Sequence, residues 1–319
     1  MLKRFLFNRI FFITFLTIIC LSIAFYFILA RNADSTISDQ IIQKEQTLVR
    51  AEASNITSFF ELFGHSVAIF SNLSSLDNLD ASTSRDLDVF VQQWSESGLV
   101  SGIVFIDNKG IVKFNSNVLG THDIGASIAD RDYFLWSKSN PKAEEYFIGK
   151  PVISKLGPSK GEIIIPVASA VYRNGKFNGA VVASVKLNLL VKNYLQLVKI
   201  SDKTKSYLLD ETGQILFRDK VVDGYVDDHE LVEELKGVLT SKVGGKIETK
   251  SYMIFYSPLI LGNNRWLLAL TVPNKEVDVF IVPIFTRIFI TLIIVLISFV
   301  LYGYIINTEA RKKYQSSLK

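Results

Sequence analysis

Two uncharged apolar runs, one near each end, constrain this chain more than any other feature. Ile10 to Ala30 is 21 residues long and Ile288 to Asn307 is 20. Each reaches the ~20 residues a helix needs to cross ~30 Å of hydrocarbon. They raise the mean hydropathy of the whole chain to +0.27. A chain of 319 residues built this way is not a soluble cytoplasmic enzyme. Two spans also cannot enclose a transport pathway without oligomerising.

Charge orients the spans. Met1 to Arg9 carries Lys3, Arg4 and Arg9 and no acid, and the tail carries Arg311, Lys312, Lys313 and Lys319 against Glu309. Setting those seven bases and one acid apart from the totals of 35 and 31 leaves 28 bases and 30 acids. The basic excess therefore lies at the membrane flanks, which places both termini in the cytoplasm and exports the segment between them. The rival reading is a cleaved leader. Its core is longer than the usual ~7–15 residues and no small-x-small site precedes Arg31. The single cysteine, Cys20, lies in the first run, so the exported part has no disulfide. The layout is that of a two-pass bacterial inner-membrane protein. Residues 1–9 are cytoplasmic, 10–30 and 288–307 span, about 31–287 are periplasmic, and 308–319 form a short cytoplasmic tail.

Residues 31–83 read as a long helix continuing the first span. Apolar residues recur at Ile37, Ile41, Leu48, Ile56, Phe59, Phe60, Phe63, Val67 and Phe70, with helical spacing. A small domain cannot bury so long a helix, so part of it is expected to pack against a second copy. A break near Gly64 into two helices is the alternative. A further helix starts near Ser84, a candidate cap, with Leu87, Phe90, Val91 and Trp94 on one face.

Strand texture follows. Val100 to Asp107, Ile111 to Phe114, Glu162 to Tyr172 and Gly179 to Leu187 are rich in β-branched residues and separated by Asn/Gly turns. A helical stretch at Asn188 to Val198 leads to a second set: Ser206 to Leu209, Gln214 to Arg218, Lys246 to Pro258 and Trp266 to Val272. A helix at Asp228 to Leu239 lies inside it. The two sets look like copies. Phe105-Ile106-Asp107-Asn108-Lys109-Gly110-Ile111-Val112-Lys113-Phe114 aligns with Leu208-Leu209-Asp210-Glu211-Thr212-Gly213-Gln214-Ile215-Leu216-Phe217 at a constant offset of 103. In each copy the Asp can accept turn amides and the Gly tolerates positive φ. Two tandem α/β modules fit this spacing.

A span, a long helix, two such modules and a span together resemble the double Cache (PAS-like) sensor domain of bacterial membrane receptors. The resemblance is carried by Asp130-Arg131-Asp132-Tyr133-Phe134, similar to an Arg-x-aromatic-aromatic ligand motif. Gly149-Lys150-Pro151-Val152-Ile153-Ser154, Gly175-Lys176-Phe177-Asn178-Gly179-Ala180-Val181-Val182, Tyr252 to Pro258 and Asn264-Arg265-Trp266 add to it. It implies an α+β fold: a long N-terminal helix with two PAS-like antiparallel-sheet modules, flanked by two transmembrane helices. Residues 84–187 would be a membrane-distal, ligand-binding module and 188–280 a membrane-proximal one. It also implies a ligand site at Arg131, Tyr133, Phe134, Ser154 and Ser184. Arg131 supplies a rigid fork for a carboxylate or other anion; an ion pair with Asp130 or Asp132 is its other reading. Tyr133 and Phe134 would wall an apolar slot. Lys155 and Lys186 add positive charge or are simply exposed.

Relatives that bind free amino acids carry acids for the ammonium group. Here the matching segments read Pro151-Val152-Ile153-Ser154 and Ala183-Ser184-Val185-Lys186. An ammonium without a carboxylate partner is poorly held in a buried site, so a small anion is expected and not an amino acid. Other chemistry is not indicated. His65, His122 and His229 lack ligand spacing. Gly157-Pro158-Ser159-Lys160-Gly161 lacks phosphate-loop spacing and reads as a hairpin tip. Asp223, Asp227, Asp228 and Glu230 read as a solvated helix start. A near-neutral exported segment does not suit nucleic acid. The expectation is a non-enzymatic, cofactor-free, metal-free sensor, homodimeric through the long helix. It would signal to an output protein outside this chain, since only twelve residues follow Asn307. A non-signalling periplasmic binding or scaffold protein is the alternative.

Overall fold

The structure is a computed structural model that describes residues 2–120, 123–139, 145–195, 203–218, 228–262 and 264–316. The chain forms two units, Met1–Lys44 with Asn274–Lys319, and Glu45–Pro273.

The first unit pairs the start of helix α1 (Leu2–Ser71) with helix α7 (Asn274–Ser316). Tyr26 and Phe289 meet edge to face, 6.0 Å between centroids. Within α7, Thr286–Ile305 is long and apolar enough to cross a membrane, and its side chains point outward almost throughout. The expected pair of spans is therefore reduced to one among the described residues. Within the N-terminal run the apolar stretch is Leu16–Ile28, too short by itself for a ~30 Å core.

In the second unit α1 runs unbroken past Gly64 to Ser71. It buries Val49, Ala53, Ile56, Phe60, Phe63, Val67 and Phe70, alternating steps of four and three that keep one stripe inward. The helix stops short of the expected residue 83. A short helix α2 (Ser75–Asn78) and a left-handed Leu79 intervene. Helix α3 (Ala81–Ser95) then begins at Asp80, not Ser84: Asp80 Oδ1 accepts from the Ser82 amide at 2.8 Å, satisfying an otherwise orphaned helical donor.

The first sheet contains β1 (Val100–Asp107), β2 (Val112–Asn117), β3 (Phe147–Ile148), β4 (Val152–Ile153), β5 (Ile163–Arg173) and β6 (Lys176–Lys186), in the order β2-β1-β6-β5-β3, with β4 also on β5. β3 and β4 meet β5 at 167–168 and 163–164. The break between them falls at Pro166, which has no amide hydrogen to donate. Helix α4 (Asp132–Ser139) lies between β2 and β3, and α5 (Leu187–Leu195) follows β6. The second sheet has β7 (Lys205–Asp210), β8 (Ile215–Arg218), β9 (Gly245–Glu248), β10 (Tyr252–Leu261) and β11 (Asn264–Pro273), in the order β8-β7-β11-β10-β9, with α6 (Asp228–Leu235) before β9. The run Lys246 to Pro258, read as one strand, is two. Thr249 turns the chain by exchanging backbone and hydroxyl bonds with Tyr252.

The two sheets share one strand order and the copied hairpin is one device used twice. Asp107 Oδ1 accepts the Lys109 and Ile111 amides at 2.9 Å, and Asp210 Oδ1 accepts those of Thr212 and Gln214 at 2.9 Å. Gly110 and Gly213 have φ of 84° and 87°. The strand register shifts between Phe105 and Ile106 and between Leu208 and Leu209, the same place in each copy. Burial raises the Asp107 carboxyl, but the Ile111 and Lys109 amides and the Lys113 ion pair (3.3 Å) outweigh it and hold it below the ordinary 3.8. A carboxyl lowered in the folded state adds stability above its unfolded pKa and loses it as pH falls through the folded pKa. Asp107→Asn is thus expected to cost about 1 kcal/mol at neutral pH. The gap between variant and wild type, followed by urea unfolding, should close as pH falls below 3.8.

Candidate ligand-binding cavity

Inside the first module, β1, β2, β6, β5 and the loop after β4 close on a cavity of ≈ 40 Å³. That is room for about three waters at ~10–15 Å³ of centre space each, so an enclosed occupant has only a few heavy atoms. The sheet supplies Ser101 from β1, Asn115 and Asn117 from β2, and Ser184 from β6. Asn115 and Asn117 are two apart and so share a face of β2. Gly102 admits the neighbouring strand: a Cβ there would lie 2.7 Å from Ser116 O. Arg131 and Tyr133 enter from the start of α4, and 154–158 form the rim.

Arg131 decides the chemistry. It forms no ion pair with Asp130 or Asp132. Asp130 pairs with Lys155 at 3.2 Å, which holds the Asp130 carboxyl below its ordinary value, and Asp132 accepts the Tyr133 amide at 2.7 Å. The Arg131 guanidinium donates from Nη2 to Ile153 O at 3.3 Å, while its Nε is buried with no hydrogen-bond partner. A buried charged donor left open is costly, and an anion would satisfy it. No Asp or Glu is among the described residues that line the cavity. Burial pushes the Tyr133 hydroxyl up to about 12, the Arg131 charge opposing; it therefore stays a neutral phenol at physiological pH.

Of the five residues expected at the site, Arg131, Tyr133, Ser154 and Ser184 line this cavity and Phe134 does not. Phe134 is buried in the core beside α4, edge-on to Phe177 at 5.9 Å. Ser154 already donates to Leu156 O at 2.9 Å, so it shapes the rim with its one donor. Lys155 lines the mouth, whereas Lys186 does not and pairs with Glu162 at 3.8 Å. Residues 157–159 form a 3-10 turn in the β4–β5 connection, held by Asp123, which accepts the Gly157 amide at 2.6 Å. Asn115, Asn117 and Ser101 were not anticipated. The sequence signal was polar residues at strand period in a segment whose neighbours are apolar. No group of three or more potential metal ligands occurs among the described residues. His122, Asp223 and Asp227 lie outside them.

The family model dCache_1, Cache domain, matches residues 33–279. The chain belongs to the Cache domain family. Its fold is shared with solved sensor domains. One is an extracellular domain attributed to a histidine kinase, vpHK1S-Z8, 13% identical, covering 76% of this chain and 96% of that one, TM-score 0.59. The isoleucine-bound sensory domain of the Campylobacter jejuni chemoreceptor Tlp3 is 10% identical, covering 77% and 98%, TM-score 0.52. The ligand-binding domain of the Pseudomonas aeruginosa amino-acid chemoreceptor PctC, in complex with GABA, is 17% identical, covering 73% and 100%, TM-score 0.52. No curated protein matches in sequence. The Cache assignment accounts for the matched sheets and the long helix.

Proposed function

We propose that this Cache protein is an extracytoplasmic sensor anchored in a bacterial inner membrane, whose first module binds a small anion, a short carboxylate above all. The observation that carries the reading is the buried, unpartnered Nε of Arg131 in a cavity whose described lining has no acid. Tlp3 and PctC were solved with an amino acid and with GABA, ligands that bear an ammonium group. Here the lining offers that group hydroxyls and amides but no countercharge. The span at Thr286–Ile305 holds the protein in the membrane, with both Cache modules outside. It pairs with a second copy through the outer face of α1, where Leu62 and Ile69 are exposed one heptad apart. Binding shifts the population of two pre-existing arrangements of module and helix, and the helices pass that shift to a separate output protein.

The test is a thermal-shift screen of the full chain in lipid nanodiscs against acetate, propionate, phosphate, isoleucine and GABA. A ligand at 100 times its Kd should add about 2.7 kcal/mol. Stabilisation by acetate or propionate at concentrations where isoleucine and GABA do nothing is the expected result. Stabilisation by the amino acids instead would overturn the anion reading.

A further inference from the structure

One side chain of the second module reaches into the first. Asn264 opens β11, and its amide donates to Ile148 O of β3. Ile148 is buried and pairs with Val167 of β5. Five residues further on, Ile153 of β4 gives its carbonyl to Arg131 Nη2. The segment between has little slack. The Gly149 amide donates to Pro166 O at 2.8 Å, and a Cβ at Gly149 would fall 2.7 Å from Pro166 Cγ. Pro151 fixes its own φ and holds Lys150 extended. At the cavity end the Ser154 amide donates to Glu162 O at 2.9 Å. A tie on Ile148 therefore bears on Val152 and Ile153, which line the cavity.

Arg131 makes that position matter. Nε and Nη2 lie on one edge of a guanidinium, an edge that can take a carboxylate through two parallel bonds. Here Nε is buried without a partner, and Nη2 already holds Ile153 O at 3.3 Å. An anion on that edge must share Nη2 with the Ile153 carbonyl. The arrangement with β4 drawn onto Arg131 is thus the one less suited to the anion, and release of β4 opens the fork. At 3.3 Å the bond to Ile153 O is longer than a close charge-assisted one. What keeps β4 in place is its backbone pairing and the Asn264 tie behind it.

We infer that Asn264 is a positioning residue for the Arg131 cavity: from the second module it holds β3 and β4 where Ile153 occupies the guanidinium, and so keeps anion affinity low. The inference rests on the anion reading of that cavity. A ligand shifts two arrangements only by its differential affinity for them, and the coupling is reciprocal. Loss of the tie favours the anion, and the anion loosens the tie. In the chain, β11 runs on into α7, which carries the apolar span.

Asn264→Ala and the isosteric Asn264→Asp both remove the donor, and the second keeps the volume should the first not fold. Isothermal titration of the full chain in nanodiscs with acetate should show each variant binding about two- to tenfold tighter than wild type. A merely loosened scaffold would weaken binding, so the direction separates positioning from support. Hydrogen–deuterium exchange without ligand, read by mass spectrometry, is the second arm. Both variants should exchange faster at Gly149 and also at Ser154, at the cavity end of the segment. Unchanged or weaker acetate affinity would overturn the inference, as would faster exchange confined to Ile148 and Gly149. A wild type that binds no acetate would overturn the anion reading instead. The exchange arm alone then decides whether Asn264 restrains the cavity edge: faster exchange at Ser154 supports it, and its absence overturns it.

Discussion

Arg131→Ala is expected to abolish stabilisation by short carboxylates, with affinity falling by about 100-fold or more. A carboxylate held by guanidinium makes charge-assisted bonds worth ~1.5–3 kcal/mol each, and every 1.4 kcal/mol is about a tenfold change. Asn115, Asn117 and Ser184 remain in the variant, but they are neutral. Lys155 is at the mouth and engaged with Asp130. No other described cation lines the cavity, so nothing replaces the lost charge. The unliganded protein should behave differently. Its buried Nε has no partner, and removing an unsatisfied charged donor returns what burying it cost. Arg131→Met, which keeps most of the volume, should leave ligand-free stability within about 1 kcal/mol of wild type. Isothermal titration with acetate and thermal unfolding without it read the two effects separately. A variant that loses several kcal/mol of ligand-free stability would mean Arg131 is a structural strut. Undiminished acetate binding by Arg131→Ala would place the anion elsewhere.

The legible parts of this molecule are those fixed by local chemistry. β1 begins at Val100 and ends at Asp107, where reading the sequence puts it, because β-branched alternation starts and an Asp-x-x-Gly turn stops it. The same turn at Asp210 reveals the second module. What stayed hidden was set by tertiary contact. β3 and β4 are two residues each and exist only because β5 offers them a partner. Helix α4 has Tyr133, Phe134 and Ser137 buried and Leu135 exposed; over eight residues no single apolar face announces it. Its ambiguity explains the fate of Phe134, which follows the motif in sequence but turns into the core. Asn115 and Asn117 pass for ordinary polar strand residues until the sheet places them against Arg131 across the cavity. Arg131 itself was found through its resemblance to a motif. Its decisive property, an open donor in an acid-free space, belongs to the fold.

Phe63→Ala is expected to be the most damaging single change in the shared frame of helix and sheet. Phe63 is fully buried and is the hub of an aromatic cluster. It stacks on Phe59 at 5.7 Å, meets Trp94 edge-on at 4.8 Å and lies 6.0 Å from Phe90. Phe90 and Trp94 come from α3, and Phe59 reaches Tyr194 of α5 at 6.3 Å. Phe63 and its stacking partner Phe59 thus join α1 to helices on either side of the first sheet in sequence. Truncating a buried Phe costs ~3–5 kcal/mol, the transfer free energy plus a cavity that rigid neighbours cannot close. Its neighbours here are rings, which keep their shape when a partner is removed. For a unit of this size each kcal/mol moves Tm by ~2–4 °C, so the midpoint should fall by about 6–20 °C. Phe63→Leu, which fills most of the space, should recover more than half of the loss. The nearby Leu62 is 64% exposed, and Leu62→Ala should cost little in a monomer because it vacates no core. Thermal unfolding of the three variants by circular dichroism checks the order. A Phe63→Ala midpoint within a few degrees of wild type would mean that α1 is held by its ends and not by this cluster. A large loss from Leu62→Ala, with Phe63→Leu near wild type, would instead locate the stabilising contact on the outer face of the helix.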